Sequence, residues 1–511
     1  MSDTAEADES GLRWFRSTPK APRLFSVVFL VAMVLISGCS DTAVVLAFQL
    51  NRKIPDELDA ICVQLASGAH ERFARRVDVT GLRGSTPTLT VEPGDGDPKS
   101  FQLFLRGEVA GQRVSELRRT IYFRDGEIVR ELIPVDSCTS RQGGHFEDGQ
   151  FVGGHFEDGG LLSKEPHAVV AALPAVIVRG DLALAISSEA SHRFGALELP
   201  GSQPNVYEIR GGLPRLSGAK IFGAVTLNVA EDATGRDCDL DVLVLTDTRP
   251  ELWLHAEGQF TRSPSTLING AWSHAAAGDL KAGGGVDIVL GGPTGLALLL
   301  DNKDGGGSYL IDDTLLPQHP PVSAVALGHL DDDRYLDIVV GTPSSNDVVF
   351  QNDALGGAHF ISVAASGLTE DSSKTRALAL GDLDGDGRVD ILRATPTGVE
   401  LLRATGSLHF ASGQLLTVGG LDYSGVSQIL VRDLNNDCAL DIVLVRAAGT
   451  HVLYNSGAGV FQAASIDRSG QASPGTVGAI ADLDGDGILD LVLAGATGQT
   501  DVGVYWLRQV L

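Results

Sequence analysis

Asp382-Leu-Asp-Gly-Asp-Gly-Arg-Val-Asp390 decides how this chain is read, because it recurs. Asp482-Leu-Asp-Gly-Asp-Gly-Ile-Leu-Asp490 is nearly the same nonapeptide 100 residues later, and Asp433-Leu-Asn-Asn-Asp-Cys-Ala-Leu-Asp441 lies midway. His329-Leu-Asp-Asp-Asp-Arg-Tyr-Leu-Asp337 is a fourth, less complete copy. Degenerate copies run from Asp279 to Asp287 and from Asp232 to Asp241, and Asp181 opens a remnant. The first positions, from Asp181 to Asp482, are 51, 47, 50, 53, 51 and 49 residues apart. A second marker, an aromatic after a polar turn at Tyr207, Phe260, Tyr309, Phe360, Phe410 and Phe461, keeps the same period. Two markers in step define a repeat of about 50 residues.

Each repeat alternates short apolar runs with Gly- and Asp-rich turns. Ala377–Leu380 precedes one loop, and runs such as Ile442–Val445 and Ile338–Val340 follow others. Apolar runs this short, bounded by turn residues, suit strands buried on both faces. Four strands per repeat make one blade, so residues 166–511 are expected to form a seven-bladed β-propeller. The seventh repeat ends without its aromatic, so a strand from around Gly160–Glu165 is expected to complete that blade, because an open ring leaves strand edges unpaired.

In Asp382–Asp390, carboxylates stand at positions 1, 3, 5 and 9, with Gly385 and Gly387 between them. A tight, glycine-permitted turn converges such side chains on one point. That number of hard oxygen ligands suits Ca²⁺, with a main-chain carbonyl at position 7. The expected ligand sets are Asp382, Asp384, Asp386, Arg388 and Asp390; Asp433, Asn435, Asp437, Ala439 and Asp441; and Asp482, Asp484, Asp486, Ile488 and Asp490, with Arg388, Ala439 and Ile488 giving carbonyls. Asp331, Asp333 and Asp337 form a lesser set, with His329 at its first position. Lys281 and Gly283 replace ligands in the third repeat, which is expected to be empty. An EF-hand would carry Glu at position 12, where Arg393 stands, so the site is a β-loop site.

The 511 residues carry a net charge of −26, which argues against a nucleic-acid partner. Arg13, Arg16, Lys20 and Arg23 precede an apolar run from Leu24 to Ile36, too short to span a bilayer but right for a signal-peptide core. Ile36-Ser-Gly-Cys39 resembles a bacterial lipobox. That resemblance implies a signal peptide over 1–38, a diacylglycerol anchor on Cys39, a tether over 39–55 and sorting to the outer membrane. Alternating apolar residues over 56–140 point to a small β-sandwich-like domain, and Asp125-Gly126 marks a hairpin within it. Cys62 and Cys138 bracket that domain and are expected to pair in an exported protein. Gly143–Val152 is repeated as Gly153–Leu162, which reads as a duplicated Gly-rich linker over 141–165.

The pattern Gly-Asp-Leu-Asp-Gly-Asp-Gly-x-x-Asp-Ile/Leu, with an aromatic after a Gly-rich turn, resembles the FG-GAP/VCBS repeat found in integrin α-subunit propellers. The resemblance covers about 166–511 and is specific in repeats four to seven. It implies structural calcium between the first and second strands of some blades. It also implies a surface binding or adhesion module, here a monomer recognising a protein or a glycan. The alternative expectation is a polysaccharide lyase or hydrolase that uses the propeller as its catalytic or accessory domain. No catalytic residue is assigned, because no nucleophile elbow or His-Glu-x-x-His pattern occurs.

Overall fold

The computed structural model describes residues 13–15 and 43–49, the strands between 60 and 209, and most of 221–510. The longer stretches outside that description are 230–240, 468–476, 482–488 and 496–502. All regular elements among the described residues are β-strands.

Two four-stranded sheets form the N-terminal domain. One orders Arg13–Phe15, Thr88–Val91, Ala43–Gln49 and Ile128–Pro134; the other orders His70–Asp78, Ala60–Ser67, Ser100–Val109 and Gln112–Tyr122. Their alternating apolar residues, among them Val44, Leu46, Phe48, Ile61, Val63, Leu103 and Ile133, share one core. Ala43–Gln49 lies inside the segment read as a tether, yet it is a sheet strand. It pairs with Thr88–Val91 on one side and Ile128–Pro134 on the other. Its apolar alternation, with Val44, Leu46 and Phe48 buried, explains the difference. Arg13–Phe15, inside the expected leader, pairs with Thr88–Thr90. Cys39 and Cys138 lie outside the described residues, while Cys62 is buried in the second sheet. No helix among the described residues is long and apolar enough to cross a membrane.

A β-propeller follows. Blades two to six are four-stranded antiparallel sheets whose first strands are Ile221–Leu227, His274–Gly278, Ala324–Gly328, Ala377–Gly381 and Val426–Arg432. Each of these strands neighbours the next around the ring. The repeat before them gives a sheet of Val169–Ile177, Gly180–Ser187, Phe194–Glu198 and Glu208–Ile209. The last repeat gives Val477–Ala481, Asp490–Gly495 and Gly503–Val510, to which His155–Ser163 adds antiparallel. Val169–Ile177 lies against Val477–Ala481. The ring is therefore closed by a strand from the N-terminal side. That strand is the second copy of the duplicated segment, not a linker, because Phe156 enters the core between the last two blades beside Tyr454, Ile480 and Leu507. In blade five the outer strand is Gln414–Leu415. Phe410, one of the periodic aromatics, lies instead in a small hairpin of Ala404–Gly406 with His409–Phe410.

A buried charge cluster lies between blades four and five. Arg393, 1% exposed, lies in the second strand of blade five, 2.7 Å from Glu400 and 3.4 Å from Asp347 of blade four. Asp347 also accepts from the Thr342 amide (2.9 Å) and the Thr375 hydroxyl (2.6 Å). Burial pushes the Asp347 carboxyl up, and these donors and Arg393 oppose the shift. Removing one member of a buried pair strands the other. Arg393→Met is therefore expected to lower unfolding free energy by about 3–5 kcal/mol in denaturant melts. Adding Asp347→Asn, whose amide can face the Thr375 hydroxyl, should restore much of the loss.

Candidate metal-binding loops

The acidic loops join the first and second strands of the blades, and the ninth-position aspartate opens the second strand. Strand register fixes that position. Gly278 pairs with Asp287, Gly328 with Asp337, Gly381 with Asp390 and Arg432 with Asp441. Leu227 pairs with Asp241 in blade two, so the loop there begins at 228 and not at Asp232. An insertion hides this start in the sequence. In the first blade Ile177 pairs with Gly180, which leaves only residues 178 and 179 between the strands. Asp181 therefore lies within a strand, and the loop is lost.

Every ninth-position aspartate from blade two to blade six is almost fully buried. One oxygen accepts the amide of the second loop residue. The distances are 2.7 Å from Val229 to Asp241, 3.0 Å from Leu280 to Asp287, 3.0 Å from Leu330 to Asp337, 3.0 Å from Leu383 to Asp390 and 2.8 Å from Leu434 to Asp441. The other oxygen accepts an amide from the end of the third strand or, in blade five, from Ala404 just beyond it. These donors are Asp301 (2.7 Å), Asn352 (2.9 Å), Ala404 (2.8 Å), Asn455 (2.8 Å) and, to Asp490, Gln509 (3.1 Å). The carboxylate thus ties loop, second strand and third strand together.

The carbonyl of the second loop residue is held by the next blade. The Asn352 carboxamide donates to Leu280 O (2.8 Å) and the Asn455 carboxamide to Leu383 O (2.8 Å). With its carboxamide turned to satisfy both its oxygen and its nitrogen, Gln509 donates to Leu434 O (3.2 Å) and Leu489 O (2.7 Å) and accepts from the Tyr454 hydroxyl. Blade five has Ala404 at this place, so a main-chain group takes over. Leu408, at a φ of 55°, donates its amide to Leu330 O (3.0 Å). A leucine in that left-handed region is strained, and this hydrogen bond accounts for it.

Blade five gathers carboxylates most closely. Among the described residues, Asp382, Asp384 and Asp390 form the one group whose ligand atoms all lie within 4.8 Å of one another. Gly385 and Gly387, at φ of 75° and 84°, wrap the loop so that Asp382 accepts the amides of Gly385, Asp386 and Gly387. A Cβ on Gly385 would come within 2.6 Å of Gly457 O, in the turn of blade six that covers the loop. Asp386 turns away to Arg388 (2.6 Å), and Arg403 approaches Asp384 (3.4 Å). Three convergent acid oxygens fit a hard divalent cation.

The other loops satisfy their acids differently. In blade three the Lys281 ammonium lies 3.3 Å from Asp287 and donates to Asp301 O (2.9 Å). In blade four Gln351 donates to Asp331 (2.7 Å), Asp331 accepts the Asp333 amide, and Asp333 accepts the Tyr335 amide. His329 is buried, with Nδ1 on Tyr335 O (3.1 Å). In blade six Asn435 donates to Asp437 (2.9 Å), while Asp433 accepts the Asp437 amide and Asp437 accepts the Ala439 amide. Asp482, Asp484, Asp486 and Ile488 lie outside the described residues. Burial pushes the Asp337 carboxyl up to about 8, and Asp287 and Asp390 up to about 6. In Asp287 the Lys281 charge works against burial, whereas Asp331 and Asp333 add to it in Asp337. Asp441 is raised well above the usual range by burial and by Asp433.

Comparison with known proteins agrees with the repeat. Residues 329–393 and 433–493 match the FG-GAP-like repeat. A Xenopus tropicalis relative, cartilage acidic protein 1, is 26% identical over 185 residues, which are 33% of this chain and 28% of that protein. The match thus spans just over a quarter of that relative's length. An Agrocybe aegerita lectin that recognises non-reducing terminal N-acetylglucosamine aligns over 68% of this chain and 91% of its own, at 18% identity and a TM-score of 0.41. Saccharomyces cerevisiae Sqt1 aligns over 68% and 98%, at 10% identity and a TM-score of 0.44.

The blade-to-blade clasp makes its own prediction. Asn455→Ala removes both donors from Leu383 O and Leu440 O and should cost about 1–3 kcal/mol in equilibrium unfolding. Asn455→Asp, which sets acceptor against acceptor, should cost more than Asn455→Ala.

Proposed function

We propose that this propeller with FG-GAP-like repeats is a calcium-stabilised binding module, displayed on a bacterial cell envelope through a lipid on Cys39, that recognises a surface protein or a glycan. The observation that carries the reading is the FG-GAP-like repeat itself, set on a ring whose described acidic loops are tied into hydrogen bonds between blades. Carboxylates used in this way brace a scaffold, and the chemistry available to them is cation binding. The lipobox-like Ile36–Cys39 supports export, and export supports a Cys62–Cys138 disulfide in the N-terminal domain. The charge of −26 supports a partner other than nucleic acid. Screening the purified chain on glycan and surface-protein arrays tests the binding role. Saturable binding without turnover supports it, and cleavage of a bound polysaccharide would replace it with an enzyme.

Asp382, Asp384 and Asp390 would hold the cation in blade five, with Asp433, Asn435, Asp437 and Asp441 as the second candidate set and Asp482, Asp484, Asp486 and Asp490 as the third. The ion would neutralise carboxylates that otherwise repel one another. At about 100 times its dissociation constant, Ca²⁺ adds about 2.7 kcal/mol per site if only the folded chain binds it. Melting temperature is expected to fall in chelator, and Asp384→Ala should lower the bound calcium.

The pH dependence has a definite sign. In chelator the folded chain holds the Asp390 proton up to about pH 6, whereas the ordinary carboxyl value is 3.8. The folded state then binds more protons than the unfolded one between those values, so stability falls as pH rises through them. Calcium requires the ionised carboxylate and offsets that loss. The melting-temperature gain from calcium should therefore be larger at pH 8 than at pH 5. An equal gain at both would count against ligation by Asp390.

Anchoring has a separate readout. Cys39→Ala should abolish fatty-acid labelling of the chain, and label that persists would exclude this anchor.

A further inference from the structure

The duplicated segment places one sequence in two conformations. His145-Phe-Glu-Asp-Gly149 and His155-Phe-Glu-Asp-Gly159 are identical. The first copy is a hairpin, with His145–Glu147 paired to Gln150–Val152 around Asp148-Gly149. The second copy is the extended strand that closes the ring, and it pairs with Gly503–Val510 from His155–Val510 to Ser163–Val504. There its Asp-Gly does not turn. The strand absorbs it as a break in register between Asp158 and Gly160, and a second break falls between Leu161 and Ser163.

A strand's register is specified where a regular apolar alternation fills a core, and weakly specified where it is Gly-rich and bulged. The closing strand has one described side chain in the core, Phe156, which is fully buried. The first copy carries Phe146 at the matching place, followed by Phe151 and Val152 where the second has Leu161 and Leu162. Nothing in the shared pentapeptide tells the ring which copy to use.

We propose that the two copies are alternative closing strands, and that a slip of ten residues replaces the second with the first while the ring stays closed. In the slipped arrangement Phe146 takes the register place of Phe156 opposite Gln509, and Phe151 that of Leu161 opposite Tyr505. The connection to the first blade lengthens from residues 164–168 to residues 154–168. Loop closure costs little more for such a lengthening. The connection from the N-terminal domain shortens from residues 135–154 to residues 135–144, which still reach about 33 Å when extended. The slip moves the N-terminal domain relative to the ring without opening a blade. The chain can thereby hold its propeller at either of two tether lengths.

Two readouts on the full chain test this. Phe156→Asp puts a charge in the closing strand but only in the extruded loop after a slip. Phe146→Asp should be almost silent, Phe156→Asp should lower the melting temperature modestly, and the double variant should lose more than the sum of the two. The second readout is a cross-link between Phe151→Cys and Tyr505→Cys, in a background lacking the native cysteines. An intramolecular bridge that increases when Phe156→Asp is added supports the slip. A Phe156→Asp chain that fails to fold, or that melts as low as the double variant, overturns it. So does a bridge that forms only between chains, which would mean strand exchange between copies.

Discussion

A carboxylate withdrawn from water and shared between two main-chain amides holds the loops of blades three to six in place. In blade five, Asp390 fixes the start of the loop through Leu383 and the chain just past the third strand through Ala404. The same bonds recur in blades three, four and six, and each has a cost, since burial raises the carboxyl pKa in every one. Hydrogen bonds to a charged group contribute about 1.5–3 kcal/mol each, enough for two of them to offset part of that burial. With the loop fixed, its second carbonyl points at the neighbouring blade, and Asn352, Leu408, Asn455 and Gln509 meet it there. Closure of the ring and shape of the loops are therefore one problem with one solution.

The remaining acids of each loop are then free to vary. Lys281 brings a cation of its own to blade three, Gln351 brings a carboxamide donor to blade four, and Asn435 does so in blade six. Blade five retains the convergent group of Asp382, Asp384 and Asp390. The loops share one frame with several fillings. A propeller braced in this way keeps its strands in register while the connections on its faces differ from blade to blade.

Much of this was legible in the sequence, and the reasons for the rest are specific. The 50-residue period and the short apolar runs of Ala377–Leu380 and Ile442–Val445 gave the propeller, and the missing last aromatic gave the N-terminal closing strand. The ninth aspartate has a structural role beside its expected ligation. Its retention at Asp241 and Asp287, where other ligands are missing, was the available sign of a structural role. The clasp residues escape the sequence pattern, because Asn352 and Asn455 border polar turns and Ala404 and Gln509 break the repeat at that place. Arg393 and Asp347 were invisible, because a pair 46 residues apart carries no local pattern. Ala43–Gln49 lies close to the lipobox-like Cys39, which points to a tether, while its own apolar alternation points to a strand.

Hydrogen exchange of the amides of Leu280, Leu330, Leu383 and Leu434 tests this frame most directly, measured in calcium and in chelator. Each donates to a buried ninth-position carboxylate. The account predicts that all four exchange as slowly as amides in the central strands, and that Leu280 does so equally in both conditions because Lys281 supplies its blade with a charge. Exchange at the rate of exposed loop amides in chelator, in blade three as in blade five, would show that the ion and not the carboxylate frame holds the ring.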